Sequence, residues 1–360
     1  MLDLALLPDG GIGWLDGSGE HADIVLSTRI RLARNVEGYA FTGRAREGER
    51  LRVLQSVRDA MPHVSSLRAG VVLRVDEMAP NDRQLLHERH LVSKELAGLE
   101  QLQAVRGGAA VVLGQGVGVM VNEEDHLRLQ ALRSGLELTD AMAAVERLDR
   151  ELGSRLPYAY HDDFGFLTAC PTNTGTGMRA SVLIHLPGLV LTKEIAKVLA
   201  GLQTMGLTYR GLYGEGSEVL GNFFQISNQT TLGRSEEELT DHLARVVRHV
   251  IQREHEARRV LWRDAGYIIE DKLWRAYGTL RFARSLTFDE AMNYLSGVRL
   301  AVGLKLITGL SVYTLNKLLI FCQSAHLAYA EGRALTESDA NLARARYVRQ
   351  ALEAEADPLA

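Results

Sequence analysis

Cysteine is scarce in this chain of 360 residues, which contains only Cys170 and Cys322. Two thiols cannot build a disulfide framework, and such a composition is typical of a reducing compartment. The amino terminus lacks the basic segment and the long apolar run of a secretory signal peptide. No run of about 20 apolar residues occurs, so we expect no membrane-spanning helix. Together these absences predict a cytoplasmic protein without a membrane partner.

An excess of charge of one sign is also missing. Lys and Arg number 41 and Asp and Glu number 45, which gives a net charge of −4 at pH 7. This balance predicts no attraction to nucleic acid or to an anionic membrane. With 46% hydrophobic and 24% charged residues, the composition excludes a disordered, collagen-like or coiled-coil chain. The length predicts two or three domains.

Strands and helices are mixed over the first part of the chain. Apolar runs at 118–121, 166–169 and 180–186 predict strands, and helical spacing predicts helices over 80–97 and 127–152. Because no regular βαβ rhythm occurs, this mixture predicts an α+β domain with a largely antiparallel sheet flanked by helices.

From about residue 236 nearly every segment has helical spacing. Thr287-x-x-Glu290 has the pattern of a capping box, and Ser311 and Thr336 are in N-cap positions. The sequence therefore predicts an α+β domain over 1–255 and an all-helical domain over 256–360.

Two charged clusters adjoin predicted strands. Arg29 and Arg31 alternate, so an extended backbone would place both guanidinium groups on one side, where they could hold a polyphosphate. A solvated or ion-paired edge strand is the alternative. Glu123, Glu124 and Asp125 repel one another unless a cation meets them. An acidic helix amino terminus would explain these three carboxylates equally well.

Two loops carry further polar groups. Cys170 is followed by Pro, Thr and Gly residues, and Thr172 with nearby amides could stabilise a thiolate. A turn with an inert cysteine is the alternative. Glu215 stands between two glycines and could close over a ligand, although an ordinary flexible loop has the same composition. Arginines suit a nucleotide triphosphate and carboxylates suit a cationic acceptor, so the four clusters together indicate phosphoryl transfer to a cationic nucleophile.

The motifs resemble those of one enzyme superfamily. Residues 170–181 read Cys-Pro-Thr-Asn-Thr-Gly-Thr-Gly-Met-Arg-Ala-Ser, which is similar to the signature of the ATP:guanido phosphotransferases, the creatine and arginine kinase superfamily. Val-Asn-Glu-Glu-Asp-His-Leu-Arg at 121–128 and Ser-Thr-Arg-Ile-Arg at 27–31 match the same superfamily in the same order. The resemblance covers roughly residues 20–255 and implies a phosphagen-kinase-like catalytic domain.

Other segments indicate the branch. Kinases of free guanidino compounds carry a helical domain before the Ser-x-Arg-x-Arg motif, whereas 26 residues precede it here and the helical domain follows instead. Segments 210–215 and 225–229 are similar to the bacterial protein-arginine kinases (McsB type), and Thr231 stands where the other branch has an arginine. The resemblance therefore implies that the acceptor is an arginine side chain of a protein.

The resemblance also implies roles for individual residues. Glu124 would be the principal base and Glu215 the partner that closes on the acceptor guanidinium. Cys170 would lie beside that guanidinium and add negative charge without becoming a covalent nucleophile. His90 would contact the nucleotide. The residues expected to bind ATP phosphates are Arg29, Arg31, Arg128, Arg179 and Arg210. Those expected to line the rest of the nucleotide site are Ser27, Thr28, Ile30, Ala180, Ser181, Val182, Leu183, Gly211, Leu212, Tyr213 and Gly214.

Cofactors and partners follow from the same resemblance. We expect ATP with Mg²⁺ held by the nucleotide phosphates and no metal held by the protein. The family implies protein substrates with exposed arginines, Clp-type degradation, control of a stress-response repressor, an activator protein and a homodimer. The apolar runs 304–310 and 315–321 favour self-association, although packing within their own domain is the alternative. A kinase of a free guanidino compound and a non-catalytic adaptor are the competing functions.

One motif departs from the bacterial family. Those kinases carry Arg-Asp-x-x-Arg-Ala in the helical domain, where it binds phosphoarginine as an allosteric ligand. Here Ala340 and Asn341 replace the first two residues, while Arg344 and Ala345 remain. Because a cation and a carboxylate are lost, we expect weak recognition of phosphoarginine and no sensing of the product.

Overall fold

The computed structural model describes residues 2–99, 105–212 and 219–355. Ten strands and ten α-helices are present in this part of the chain. In chain order they are β1 Val25–Arg34, α1 Glu47–Ala60, β2 Val71–Arg74, α2 Pro80–Glu88, β3 Ala110–Gly114, β4 Val117–Val121, β5 Leu127–Ser134, α3 Leu138–Gly153, β6 Tyr160–His161, β7 Gly165–Phe166, β8 Met178–His185, α4 Pro187–Leu191, α5 Ile195–Thr204, β9 Leu207–Arg210, β10 Phe223–Asn228, α6 Glu236–Phe282, α7 Phe288–Gly303, α8 Val312–Phe321, α9 Ser324–Glu331 and α10 Glu337–Ala354.

Eight of the strands form one sheet in the order β2-β3-β4-β5-β1-β8-β10-β9. Every neighbouring pair is antiparallel. The predicted α+β class and antiparallel sheet are therefore confirmed. In the middle of the central strand β1 the side chains alternate: Ile30 and Leu32 are buried in the core beneath α1 and α3, while Arg29 and Arg31 project from the opposite face. Burying two such aliphatic side chains stabilises the sheet by about 1.5–3 kcal/mol each.

The helix predicted over 127–152 is wrong in its first third. Residues 127–134 form strand β5, and only Leu138–Gly153 is helical. Leu127, Leu129 and Ala131 alternate into the core with the period of a strand, and pairing on both sides with β4 and β1 overrides the helical spacing of the later leucines.

Two other predicted boundaries also differ. The helix predicted over 80–97 ends at Glu88, because His90 adopts φ 60° and its amide donates to the His87 carbonyl, which closes the helix in a left-handed turn. The strand predicted over 166–169 is limited to Gly165–Phe166 in a two-stranded ribbon.

The second half of the described chain is helical. Helix α6 begins with a capping box between Ser235 and Glu238 and runs through the predicted boundary at 255/256. Its regular geometry is interrupted at Ala265, where φ is −145°. The division into 1–255 and 256–360 stays a prediction. The predicted caps at Thr287 and Ser311 are confirmed, as is the one at Thr336.

The helical region packs against one end of the sheet. The apolar runs 304–310 and 315–321 contribute Ile307, Leu315 and Leu318 to a core that also contains Trp14. These side chains therefore pack within this chain, partly against residues outside the helical domain, and self-association stays a prediction. Among the described helices, none has the length and apolarity needed to cross a membrane.

Candidate active site

One face of the sheet carries the predicted arginines. Residues paired directly across antiparallel strands point to the same side. Arg29 lies opposite Ser181 of β8, and Arg31 lies opposite Arg179. On the other side of β1, Arg128 of β5 pairs with Ala33 and so joins the same face. The strands thus bring arginines that are far apart in sequence to one surface.

These arginines line a cleft of about 730 Å³ together with Arg210, Glu124, Cys170 and His90. Burial and the neighbouring cations Arg128 and Arg179 lower the pKa of Arg29 to about 10. Burial and the cations Arg29, Arg128 and Arg179 hold the pKa of Arg31 well below its usual range. Neither Arg29 nor Arg31 has a carboxylate within ion-pair distance in the described part of the chain, and the Nε of Arg31 is buried without a partner there. Such uncompensated cations favour a bound polyanion.

The three adjacent carboxylates have different environments. They follow a turn at Asn122, which adopts φ 59°. The Asn122 side-chain amide donates hydrogen bonds to the carbonyls of Arg50 and Gly108 and so fixes this turn. Glu123 is only 3% exposed and accepts from the Ser93 hydroxyl at 2.6 Å and from the Arg128 guanidinium. Its hydrogen-bonding capacity is therefore used within the protein.

Glu124 is the carboxylate that remains accessible. Its side chain is 42% exposed, and its contact with Arg128 is longer, at 3.3 Å. Partial burial raises the pKa of Glu124, and the charges of Glu123 and Asp125 act in the same direction, while Arg128 opposes them. Burial alone would lower the pKa of Arg128. The carboxylates of Glu123 and Glu124 have the larger opposite effect, so the pKa of Arg128 is raised. A carboxylate with a raised pKa facing an arginine-lined cleft can accept a proton.

Asp125 joins the acidic turn to the cysteine loop. It is fully buried, and its Oδ1 accepts from the Asn35 side-chain amide and from the Ala169 backbone amide, both at 2.6 Å. The next residue is Cys170, whose sulfur lies 3.0 Å from the Thr172 hydroxyl. Through Asp125, the positions of Glu124 and Cys170 depend on one another.

His90 lies on the wall of the cleft with a neutral ring. Burial and the Arg29 cation hold its pKa well below the usual range. Its ring and that of Trp14 form a T-shaped pair, with the centroids 5.2 Å apart. A neutral imidazole in this position can contact a nucleotide without adding to the positive charge of the cleft.

Several residues expected to line the nucleotide site do not do so with their side chains. Contiguous motif residues cannot all face a cleft, because successive strand residues point to opposite faces. The side chains directed into the core, all with 0% exposure, are Thr28, Ile30, Ala180 and Val182. Ser27 and Leu183 are on the cleft side of the sheet, but both are buried and lie beyond the cleft lining, Leu183 against the helical region. Ser181 faces the cleft side and is also buried.

The loop after β9 is only partly described. Arg210 lines the cleft, whereas Gly211 and buried Leu212 do not. Glu215, Tyr213 and Gly214 lie outside the described residues.

The structure also brings unpredicted residues into the cleft. Arg106 donates to the Glu123 carbonyl at 2.7 Å, and Gln225 and Ser227 extend the polar floor from β10. The alternation of Gln225 and Ser227 along a strand was a signal available in the sequence, but Arg106 lies in an irregular segment without a motif. Within the described residues, no group of three or more His, Cys, Asp or Glu side chains is arranged to hold a metal ion.

Two family models match the chain. The model for the ATP:guanido phosphotransferase C-terminal catalytic domain matches residues 52–257. The model for the protein-arginine kinase McsB C-terminal domain matches residues 267–359. The two matches meet on helix α6, on either side of the interruption at Ala265.

Relatives and solved structures agree with these matches. A protein-arginine kinase from Pelotomaculum thermopropionicum is 43% identical over 340 residues, which cover 94% of each chain. One from Moorella thermoacetica is 44% identical over 344 residues, covering 94% of this chain and 97% of that one. The duplicated taurocyamine kinase from Schistosoma mansoni with bound transition state analog components is 30% identical, with a TM-score of 0.59, and covers 71% of this chain and 35% of that one. A lombricine kinase structure, 23% identical with a TM-score of 0.56, covers 71% of this chain and 70% of that one and shares the fold. The chain therefore belongs to the ATP:guanido phosphotransferases and, among them, to the protein-arginine kinase family.

Proposed function

We propose that this protein transfers the γ-phosphate of ATP to the guanidinium group of arginine side chains in proteins. The observation that carries the proposal is the half-exposed carboxylate of Glu124 beside the uncompensated cations Arg29 and Arg31 in one cleft. This arrangement places a site that binds an anion, the ATP phosphates, next to a site that binds a cation, the acceptor guanidinium. Phosphoryl transfer between ATP and a guanidinium requires that combination.

The arginines act on the nucleotide. Arg29, Arg31, Arg128 and Arg179 hold the phosphates and neutralise the charge that spreads over the equatorial oxygens in the transition state. Because Arg29 and Arg31 are already desolvated and have no internal counter-ion among the described residues, they interact strongly with phosphate oxygens without first breaking an ion pair.

Glu124 acts on the acceptor. It binds the guanidinium and orients one terminal nitrogen in line with the γ-phosphorus. The N–P bond forms as the bond from phosphorus to the bridging oxygen of ADP breaks, and the proton released from nitrogen moves to Glu124. Glu215 would close on the acceptor from the other side. The Cys170 sulfur, beside the Thr172 hydroxyl, adds electron density near the guanidinium and forms no covalent bond.

Mg²⁺ fits this cleft as a companion of ATP. Besides Glu124, the carboxylates of Glu95 and Glu123 lie on the cleft wall, and Glu123 is already engaged by Arg128 and Ser93. Within the described residues, no three such side chains are arranged to hold a metal ion. The ion would be held by the nucleotide phosphates, where it neutralises charge on the transferring group. The chain itself supplies the arginines and the base.

The experiment uses purified protein, Mg-ATP and an arginine-containing protein, with the sites read by mass spectrometry without acid because N–P bonds are acid-labile. Phosphoarginine should form with the wild type and with Glu146→Gln, a control at an exposed carboxylate of α3 outside the cleft. It should be absent with the isosteric variant Glu124→Gln. Full activity of Glu124→Gln would refute the role of this base.

Free L-arginine distinguishes the competing function. Turnover of free L-arginine at a rate comparable with protein arginine would favour a kinase of small guanidino compounds. If no acceptor is phosphorylated while Glu124→Gln still binds partners, the adaptor function would replace the enzymatic one.

We also propose the wider roles that the family resemblance implies. Phosphorylated proteins would be directed to a Clp-type protease, a stress-response repressor would be among the substrates, an activator protein would stimulate the kinase, and the protein would act in the cytoplasm as a homodimer. Comparison of phosphoarginine-containing proteins in cells with and without this kinase, and with and without a Clp protease, tests the first two roles.

We propose that product sensing through the helical domain is lost. Arg344 is buried, and its guanidinium donates to the carbonyls of Cys322 and Leu286 and to the side chain of Asn341, at 2.7–2.8 Å. With these three bonds in place, the one remaining cation of the motif is occupied by the protein itself.

A further inference from the structure

The loop that carries Cys170, residues 170–177, is held from the side of strand β10 by one hydroxyl group. This hydroxyl belongs to Thr231, which follows β10, lines the cleft and is only 6% exposed. Its Oγ1 lies 2.9 Å from the carbonyl oxygen of Thr172 and 2.8 Å from that of Thr174. The single hydroxyl proton is therefore shared between two backbone acceptors of the loop and is not available to donate to a ligand.

The backbones of the two segments also approach each other closely. The Thr231 carbonyl accepts from the backbone amide and from the hydroxyl of Thr176, both at 3.4 Å. Gly175 adopts φ 112°, and a Cβ atom at this position would lie 2.7 Å from the Thr231 carbonyl oxygen. Only glycine avoids this overlap. The segment 172–176 of the loop therefore lies directly against Thr231.

The sheet holds Thr231 in place through Asn228, the last residue of β10. The side-chain oxygen of Asn228 accepts from the Ala180 amide at 2.8 Å. Its Nδ2 donates to the carbonyls of Met178 and Thr230, both at 3.1 Å. Because Thr230 immediately precedes Thr231, the hydroxyl is fixed to strands β8 and β10. A group supported by strands can position a loop more accurately than another loop could.

Thr172 connects this contact to the sulfur of Cys170. The turn Pro171–Asn173 begins at Cys170, and the Thr172 hydroxyl lies 3.0 Å from the Cys170 sulfur. The carbonyl of the same threonine is one of the two acceptors of the Thr231 hydroxyl. Asp125 holds the backbone amide just before Cys170. The sulfur is therefore positioned from two sides, by Asp125 before it and by Thr231 after it.

We propose that Thr231 is a positioning residue for phosphoryl transfer: its hydroxyl fixes the cysteine loop and so places the Cys170 sulfur beside the acceptor guanidinium. This inference rests on the proposed function, in which Cys170 lies next to the acceptor. Without the hydroxyl, the carbonyls of Thr172 and Thr174 have no donor among the described residues. Thr172 is exposed, so its carbonyl can bond to water once the loop moves. The loss should therefore displace the loop and leave the fold intact.

Hydrogen exchange of the full-length protein, read by mass spectrometry, tests the structural part of this proposal without requiring activity. Thr231→Val removes the hydroxyl at nearly constant shape, and Thr231→Ser keeps it. Thr230→Val is the matched control, because Thr230 is exposed and does not line the cleft.

The amides of Asn173 and Thr174 donate within the turn and report on its stability. The peptide that contains them should exchange about five-fold faster or more in Thr231→Val, whereas Thr231→Ser and Thr230→Val should resemble the wild type. Equal exchange in Thr231→Val and the wild type would overturn the proposal.

Kinetics with Mg-ATP and an arginine-containing peptide test the functional part. Thr231→Val should lower kcat/KM for the peptide by about ten-fold or more, because a small displacement of a group beside the acceptor is costly. The KM for ATP should change by less than about two-fold, since the arginines that hold the phosphates lie outside residues 170–177. Thr231→Ser should restore most of the activity. An unchanged kcat/KM in Thr231→Val, or an equal loss in Thr231→Ser, would contradict the role of the hydroxyl.

A double variant shows whether Thr231 acts through Cys170. In the Cys170→Ala protein the sulfur is gone, so adding Thr231→Val should lower kcat/KM for the peptide by less than about two-fold further. The same ten-fold loss in both backgrounds would show that Thr231 acts independently of the sulfur and would refute the proposal. Failure of the proposed function is seen separately, as absence of phosphoarginine with the wild type, while the exchange of the loop would still change in Thr231→Val.

Discussion

Glu88 joins the sheet region to the helical region, and its substitution should affect both stability and nucleotide binding. The carboxylate is 4% exposed and ends helix α2, two residues before His90. Its Oε1 accepts from the Ala325 amide and the Gln84 side chain, at 3.0 and 3.1 Å. Its Oε2 accepts from the amide and the Nδ1 of His326, at 3.1 and 2.7 Å. Every acceptor position of the carboxylate thus faces a donor.

Glu88→Gln should be strongly destabilising. The amide keeps one oxygen, so in either orientation its NH2 group would face two donors that lose their acceptor. His326 cannot adapt by moving its proton to Nε2, because that atom accepts from the Nε of Arg89 at 3.1 Å. Each buried donor left unpaired costs about 1–3 kcal/mol, so the loss should be about 2–6 kcal/mol in the free energy of unfolding.

Urea unfolding of the full-length chain measures this loss. Glu353→Gln, at an exposed glutamate of α10, is the matched control and should change the free energy of unfolding by less than about 0.5 kcal/mol. Because α2 leads directly into His90, Glu88→Gln should also raise the KM for ATP more than it lowers kcat. A loss below about 1 kcal/mol, or an unchanged KM for ATP, would show that the reasoning about this carboxylate is wrong.

Three further predictions concern titration and regulation. Glu124 must be ionised to accept a proton, and partial burial raises its pKa above the ordinary 4.5. The value of kcat/KM should therefore fall on acidification with a midpoint above pH 4.5, and a pH–rate profile with a lower midpoint would contradict this role. Burial, with Arg299 and Arg258 nearby, holds the pKa of His185 well below its usual range. The unfolded chain therefore binds one more proton at this histidine, and the free energy of unfolding should decline as pH falls below about 6.5. Urea unfolding at pH 7.5 and 5.5 should show a smaller decline for His185→Gln than for the wild type. An equal decline in both would refute the assignment to His185. Added phosphoarginine should leave kcat unchanged, because Arg344 is already bonded within the protein, and strong activation would show that product sensing persists.

The sequence was most informative where the physical signal was local. The alternation of Arg29 and Arg31 and the caps at Thr287 and Ser311 depend on neighbours within a few residues, and the structure has each of them. Strand β5 was missed for the opposite reason. Its pairing with β1 and β4 involves partners far along the chain, and the leucines that follow in α3 extended the helical spacing backward.

The contiguous motif segments led to a different error. Residues 27–31 and 180–183 were assigned to the nucleotide site as blocks, although a strand presents only alternate side chains to one face. Thr28, Ile30 and Val182 accordingly support the core beneath the cleft. Such residues can be essential to a motif without touching the ligand, since they determine where the adjacent arginines point.

The acidic turn shows why sequence alone could not divide roles among neighbouring residues of one chemical type. Glu123, Glu124 and Asp125 are consecutive carboxylates, and each has a different task because each meets a different distant partner. Asp125 is fully buried against Asn35 and Ala169 and positions the turn. Glu123 forms an ion pair with Arg128 and raises its pKa, so that this arginine keeps its charge within the cleft. Only Glu124 retains solvent exposure together with a raised pKa. Since Glu123 and Asp125 are hydrogen-bonded inside the protein, only Glu124 of the three is available to a guanidinium, while the charges of its two neighbours help to raise its pKa.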